Sequence, residues 1–188
     1  GKFECIGSVV SYLIGRYVKC SKISIYDQIR IIMPDIYLQL ASTDDIQLLQ
    51  DSALKAFSDD YDKYGAFPPN IESIEWFKAE VSKNKFYKVV CDSEFAGAIC
   101  VEGGETSCIE IKYLYIDLKF QNKHIGSKVM RLIESEYEHI DNWTLFTPYM
   151  SFRNHHFYEK LGYIKVGELQ PDPSDDFKLF EYSKVRTR

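Results

Sequence analysis

The sequence predicts a mixed α/β domain over residues 36–188, preceded by an N-terminal helical arm over residues 1–35. Three observations carry this. Segments rich in β-branched and aromatic residues alternate in polarity, as strands do, at 36–42, 86–92, 94–102, 107–118, 142–148, 163–169 and 177–185. Between them run stretches whose apolar residues recur every three or four positions. The 188 residues hold no repeat or low-complexity tract, and the length suits one domain with a full core and an appendage.

The elements are justified in order. In the arm, Ile6, Val9, Val10, Leu13, Ile14, Tyr17 and Val18 share one helical stripe, and a short extended segment follows. Such a stripe either docks on the core or lies against a second subunit, which would make the protein a homodimer. After the strand at 36–42, Ser42 and Thr43 offer N-caps to a helix with Ile46, Leu49, Ala53 and Phe57 on its apolar face. Residues 58–70, with two prolines and a glycine, read as a loop. A second helix over 71–84 turns Ile71, Ile74, Phe77 and Val81 inward. A hairpin turns at Asp92–Ser93, and Gly103–Gly104 lead into the long strand at 107–118. "FQNKHIGSKVMRLIESEY" then opens a polar loop into a helix carrying Val129, Met130, Leu132 and Ile133. The strand at 142–148, a helix over 151–162 closed by Gly162, and two final strands complete the order β-α-α-β-β-β-α-β-α-β-β.

Composition bounds the function. The chain is 45% hydrophobic and 27% charged, as globular proteins are, and its net charge of −5 argues against a nucleic-acid partner. A cationic or amine-bearing partner suits the sign better. Cys5, Cys20, Cys91, Cys100 and Cys108 are odd in number and show no CxxC spacing, so they read as reduced core or strand thiols of a cytoplasmic protein. No apolar run is long enough to span a membrane. His155 and His156 are adjacent and point apart on a helix, so no metal site is expected.

The chemistry concentrates in the loop of Gln121, Asn122, Lys123, His124, Ile125, Gly126 and Ser127. A loop opening a helix presents unpaired backbone N–H groups and a positive dipole end to an anion. A nucleotide P-loop is excluded, because Gly126-Ser127-Lys128 has the wrong order and no Gly lies five residues earlier. The G-x-G-x-x-G fingerprint is also absent.

What remains resembles the Q/R-x-x-G-x-G/A loop of the GNAT superfamily of acetyl-CoA-dependent N-acetyltransferases, with His124 in place of the first glycine. His is among the non-glycine residues enriched at positive φ, so the position tolerates it. The preceding "YLYIDLKF" resembles the family strand along which the pantetheine arm runs. Downstream, "TPYMSFRNHHFYEKLGY" resembles the second family signature. The resemblance implies a mixed, mostly antiparallel central sheet flanked by helices. It implies acetyl-CoA as co-substrate and an amine acceptor. Tyr115, Ile116, Asp117 and the 121–127 loop would bind the coenzyme through backbone groups, joined by Asn154, while Ser151 would cap its helix. Tyr158 matches the tyrosine whose hydroxyl approaches the coenzyme sulfur.

Transfer to an amine needs a base, and Glu110 is the first candidate, ahead of Asp117 and Glu105. Asp59, Asp60, Asp62, Asp175 and Asp176, beside Tyr61, Tyr64, Phe67 and Trp76, would line an acidic, aromatic acceptor entrance. The alternative from a different class is a catalytically silent GNAT-like module that binds acyl-CoA as a sensor.

Overall fold

The structure, a computed structural model, describes residues 34–65, 67–121 and 123–186. The helix expected over residues 6–18, Cys5, Cys20 and Asn122 lie outside the described residues. The elements are β1 Ile36–Leu40, α1 Ile46–Ala56, α2 Ser58–Tyr64, α3 Ile74–Ser82, β2 Phe86–Cys91, β3 Glu94–Gly103, β4 Cys108–Ile116, α4 Ile125–Glu136, β5 Asn142–Pro148, α5 Phe152–Lys160, β6 Ile164–Leu169 and β7 Leu179–Val185. Among the described residues, seven strands form one sheet in the order β1-β2-β3-β4-β5-β7-β6. Only β4 and β5 run parallel, and every other neighbouring pair is antiparallel.

Two segments differ from expectation. Residues 58–64 form helix α2 and not a loop. Asp59 and Asp60 in its first turn and Lys63 in its last complement the helix dipole. Gly65, at φ 70°, stops it, its N–H donating to the Tyr61 carbonyl at 2.8 Å. The second predicted helix begins at Ile74 and not at Ile71, because the Ser73 hydroxyl accepts the Trp76 N–H at 3.2 Å and fixes the start there. Ile71 is nonetheless buried.

The hairpin turn is as expected: Asp92 (φ 50°) and Ser93 (φ 68°) both take the left-handed conformation that a two-residue turn needs. Helix α5 ends as expected too. Gly162, at φ 88°, donates to the Glu159 carbonyl, and Tyr163 donates to the Tyr158 carbonyl, which closes the last turn.

The sheet carries a hydrophobic layer on each face. On one face α4 packs Ile125, Val129, Met130 and Ile133 against Val89, Ile99, Ile109, Trp143 and Leu145. Each such burial is worth about 1.5–3 kcal/mol. On the other face α1 and α3 pack Leu49, Ala53, Phe77 and Val81 against Phe86, Cys100, Tyr113 and Tyr115. Trp76, expected to line the acceptor entrance, belongs to this second layer, edge-on to Tyr113 at 5.0 Å.

One irregularity in β4 decides the site. Val101 pairs with Ile111 and Cys100 with Tyr113, so Lys112 is an extra residue on β4. A bulge of this kind bends its strand and resets its alternation. Before it, Ile109 and Ile111 face the α4 layer; after it, Tyr113 and Tyr115 face the α1–α3 layer and Leu114 and Ile116 face α4. The parallel pairing of β4 with β5 ends at Ile111–Leu145, directly before the bulged residue.

Candidate active site

Because pairing with β5 stops at Ile111, the β5-facing edge of β4 beyond the bulge has no strand partner. The edge can be assigned by alternation. Asp117 donates its N–H to the Ala96 carbonyl of β3 at 2.9 Å, so the backbone groups of Leu114 and Ile116 face the opposite, open side. Of the residues 115–117, expected to offer backbone groups, Ile116 is therefore the one whose N–H faces the open side, since the Asp117 N–H is taken. The Ile116 carbonyl on that side accepts from the Gln121 side chain at 2.9 Å.

The tyrosines of β4 anchor the strand on its other face. Tyr115 donates to the Leu49 carbonyl at 3.0 Å and lies 2.8 Å from the Ser52 hydroxyl. Tyr113 donates to the Pro69 carbonyl. Asp117 accepts the Lys119 N–H at 2.9 Å and forms an ion pair with Lys55 at 3.6 Å. A cavity of about 50 Å³ opens here, lined by Ser52, Lys55, Asp59, Phe95, Tyr115 and Gln121. It has room for a few waters.

The loop after β4 behaves as its sequence suggests. His124 sits at φ 58°, ψ 15°, the left-handed conformation expected where the family carries glycine, and it is the residue before α4. Its side chain makes no capping bond, so the N–H groups of Ile125, Gly126 and Ser127 are not taken by the cap. The first helical bond is Lys128 N–H to the His124 carbonyl, at 3.2 Å. Gly126 has a packing reason: a Cβ there would lie 3.2 Å from the Phe157 ring of α5. Lys123 lies over the Phe120 ring at 5.7 Å.

Helix α5 faces this loop from the β5 side. Tyr158 packs against Phe157 and Tyr163, with ring centroids 5.0 and 5.9 Å away. Its hydroxyl makes no hydrogen bond among the described residues, and burial pushes its pKa up to about 12. Asn154 donates to the buried Thr147 hydroxyl of β5 at 3.3 Å. Ser151 stands at the N-cap position, but its side chain makes no capping bond, contrary to expectation. His155 is buried with its ring nitrogen 2.9 Å from the Pro148 carbonyl, whereas His156 is exposed. Among the described residues no group of three or more His, Cys, Asp and Glu could hold a metal.

The candidate bases stand apart from one another. Glu110 lies ahead of the bulge, paired with Thr144 in the parallel ladder. Lying between Ile109 and Ile111, it points to the α1–α3 face. Lys112 reaches it at 3.0 Å and reaches Glu102 at 3.3 Å. Glu105 is exposed in the β3–β4 turn, 3.8 Å from Lys85, and is not brought to the other site residues. Among the entrance residues, Tyr61 stacks on Phe67 at 4.6 Å and Tyr64 meets Phe177 at 5.2 Å. Burial pushes the Asp60 carboxyl above its ordinary pKa.

Sequence reasoning missed Arg153, whose guanidinium donates to the Gln121 side-chain oxygen at 3.2 Å. Its place beside Asn154 in the second motif was the available signal.

Residues 82–165 match the model of a family described as Acetyltransferase (GNAT) domain. No curated protein matches. The fold is shared with the PaiA N-acetyltransferase of Thermoplasma acidophilum, solved in complex with coenzyme A. That likeness has TM-score 0.66 and 20% identity, and covers 81% of this chain and 99% of that one. The ribosomal-protein-S18-alanine N-acetyltransferase of Escherichia coli is similar with TM-score 0.65 at 13% identity, over 80% of this chain and 94% of that one. A Salmonella typhimurium acetyltransferase that modifies the N-terminal serine of ribosomal protein L7/L12 gives TM-score 0.66 at 13% identity, over 81% and 95%. At such identities the likeness is one of fold.

Proposed function

We propose, from the match of residues 82–165 to a GNAT acetyltransferase domain and from the shared fold, that the chain is an acetyl-CoA-dependent N-acetyltransferase of the GNAT superfamily that moves the acetyl group of acetyl-CoA directly to a primary amine of a small molecule or peptide, within a ternary complex. The observation that carries the reading is the parting of β4 from β5 at Ile111–Leu145, which leaves backbone donors on one open strand edge beside the start of α4.

The residues fit the coenzyme. The N–H groups of Ile125 to Ser127 and the α4 dipole suit its pyrophosphate. Between Leu118 and Ile133 the chain carries Lys119, Lys123, Lys128 and Arg131 and no acidic residue, although the whole chain is at −5. The open edge of β4 suits an extended amide-bearing arm, as a strand partner would. The coenzyme supplies the activated acetyl group and a thiolate leaving group.

The protein's residues do the rest. The Leu114 and Ile116 N–H groups on the open edge are donors for an acyl oxygen. Tyr158 keeps its proton throughout the physiological range and supplies an O–H donor to developing thiolate charge. Glu110 is the proposed acceptor of the amine proton, directly or through water. Its place on the α1–α3 face, beside the bulge, supports the role. The acidic residues of α2 and of the β6–β7 loop favour a cationic acceptor before it is deprotonated.

Release of free thiol from acetyl-CoA against a panel of small amines and peptide N-termini tests the proposal. Amine-dependent release with at least one acceptor supports it. Coenzyme binding without release for any amine would instead support a silent binding module.

A further inference from the structure

We infer that Arg153 is a coenzyme-binding residue, whose guanidinium takes a phosphate of the coenzyme at the open end of the gap between β4 and β5. The inference rests on the acetyl-CoA reading above and deepens it.

The argument begins with topology. Strand β4 leads into the loop that contains Gln121, and β5 leads into α5, which carries Arg153 in its first turn. The two strands part after Ile111–Leu145. The Arg153–Gln121 hydrogen bond of 3.2 Å therefore joins the two sides of the gap beyond the ends of its strands.

Gln121 is itself fixed. Its amide nitrogen donates to the Ile116 carbonyl at 2.9 Å, so its amide oxygen is presented from β4 in a set direction. That oxygen is one of the groups that hold the exposed arginine on α5.

The chemistry of the pair then decides its use. A neutral amide oxygen is a modest acceptor for a guanidinium. A phosphate oxygen forms a charge-assisted bond roughly twice as strong, and the planar donor fork of arginine can meet two phosphate oxygens at once. An anion arriving between loop and helix would take the donors that Gln121 now shares. The surroundings favour an anion, since the 118–133 segment is basic and free of acids. Arg153 thus binds and does not take part in the chemistry, so its loss is felt in coenzyme affinity and in KM, with kcat kept.

Calorimetry of coenzyme A binding to wild type, Arg153→Gln and Arg153→Lys, each at low and high salt, tests this. Glutamine carries no charge and ends two bonds short of the guanidinium nitrogen that meets Gln121, so it removes both the charge and that contact. We expect Arg153→Gln to bind about tenfold more weakly, with an unchanged thermal midpoint and a shallower salt dependence. Arg153→Lys should lose less and keep the salt dependence. A repeat with 3′-dephospho-coenzyme A assigns the contact: a penalty that persists places it on the pyrophosphate, and one that vanishes places it on the 3′-phosphate. Arg153→Gln binding within twofold of a wild type that does bind coenzyme A would overturn the inference alone. A wild type that binds no coenzyme A would overturn this inference and the proposed function together.

Discussion

Tyr158→Phe removes one oxygen from a ring that stays in place, so it isolates the hydroxyl. The structure limits what that hydroxyl can do. Burial holds its pKa at about 12, whereas a thiol loses its proton near 8.5. Complete proton transfer from tyrosine to thiolate would run uphill by a gap of about 3.5 in pKa, or about 5 kcal/mol. In the role proposed above, Tyr158 would therefore act as a hydrogen-bond donor to the leaving sulfur and keep its proton. Such a bond to a charged acceptor is worth about 1.5–3 kcal/mol, which predicts a fall in kcat of about 10- to 150-fold. Acetyl-CoA affinity should hold, because the ring contacts with Phe157 and Tyr163 survive. Stability should change by less than about 0.5 kcal/mol, since the lost hydroxyl has no partner among the described residues. The assay is steady-state thiol release with a saturating amine, beside thermal unfolding of both proteins. An unchanged kcat would reduce Tyr158 to a packing aromatic. A loss beyond about 10⁴-fold would demand full proton transfer and refute the argument from pKa.

Three further outcomes are expected. At His124, φ 58° makes glycine a compatible replacement and a β-branched residue a strained one; His124→Gly should bind coenzyme A like wild type, while His124→Val should lose about 1–2 kcal/mol of stability and bind more weakly, as calorimetry and thermal melts would show. Gly97→Ala would place a Cβ 2.1 Å from the Tyr115 carbonyl oxygen; the backbone must move, so denaturant titration should show a loss above about 3 kcal/mol, or no soluble protein. Asp45 is partly buried, which pushes its pKa up, but hydrogen bonds from Lys88 (2.7 Å) and Ser42 outweigh burial and hold it below the ordinary value. A lowered folded pKa gives stability above the unfolded value and loses it as pH falls. Asp45→Asn should therefore cost about 1–2 kcal/mol at pH 7, and urea titrations of the two proteins should converge as the pH falls through the lowered Asp45 value.

The strand and helix order was legible because each element has a clear period and its own punctuation. Ser73, Gly162 and the Asp92–Ser93 turn act through local backbone chemistry that sequence displays directly. The loop of Gln121 to Ser127 was legible for the same reason, down to the left-handed His124. The bulge at Lys112 was not, because it depends on the register against β3 and leaves the strand looking continuous. Helix α2 was hidden by the glycine and prolines of the segment that follows it. Trp76 resembled a pocket aromatic and packs, half-buried, on the second layer, since its neighbours Tyr113 and Phe86 come from distant strands. Arg153 was missed because its relation to Gln121 spans 32 residues.

In the proposed function, strand β4 separates the two recognition problems of group transfer. Beyond the bulge, its Tyr113 and Tyr115 side chains answer to the α1–α3 layer, while its open edge offers only main-chain groups. Main-chain donors are supplied by every residue except proline, so substitution of the tyrosine side chains need not erase them. On the proposed reading, the acceptor side can drift, or be redesigned, beside a coenzyme-facing edge that is largely indifferent to side-chain identity. Directed evolution toward a new amine should accordingly accumulate changes in α1, α2 and the tyrosine-bearing face of β4, and should leave the other edge of the same strand to inheritance.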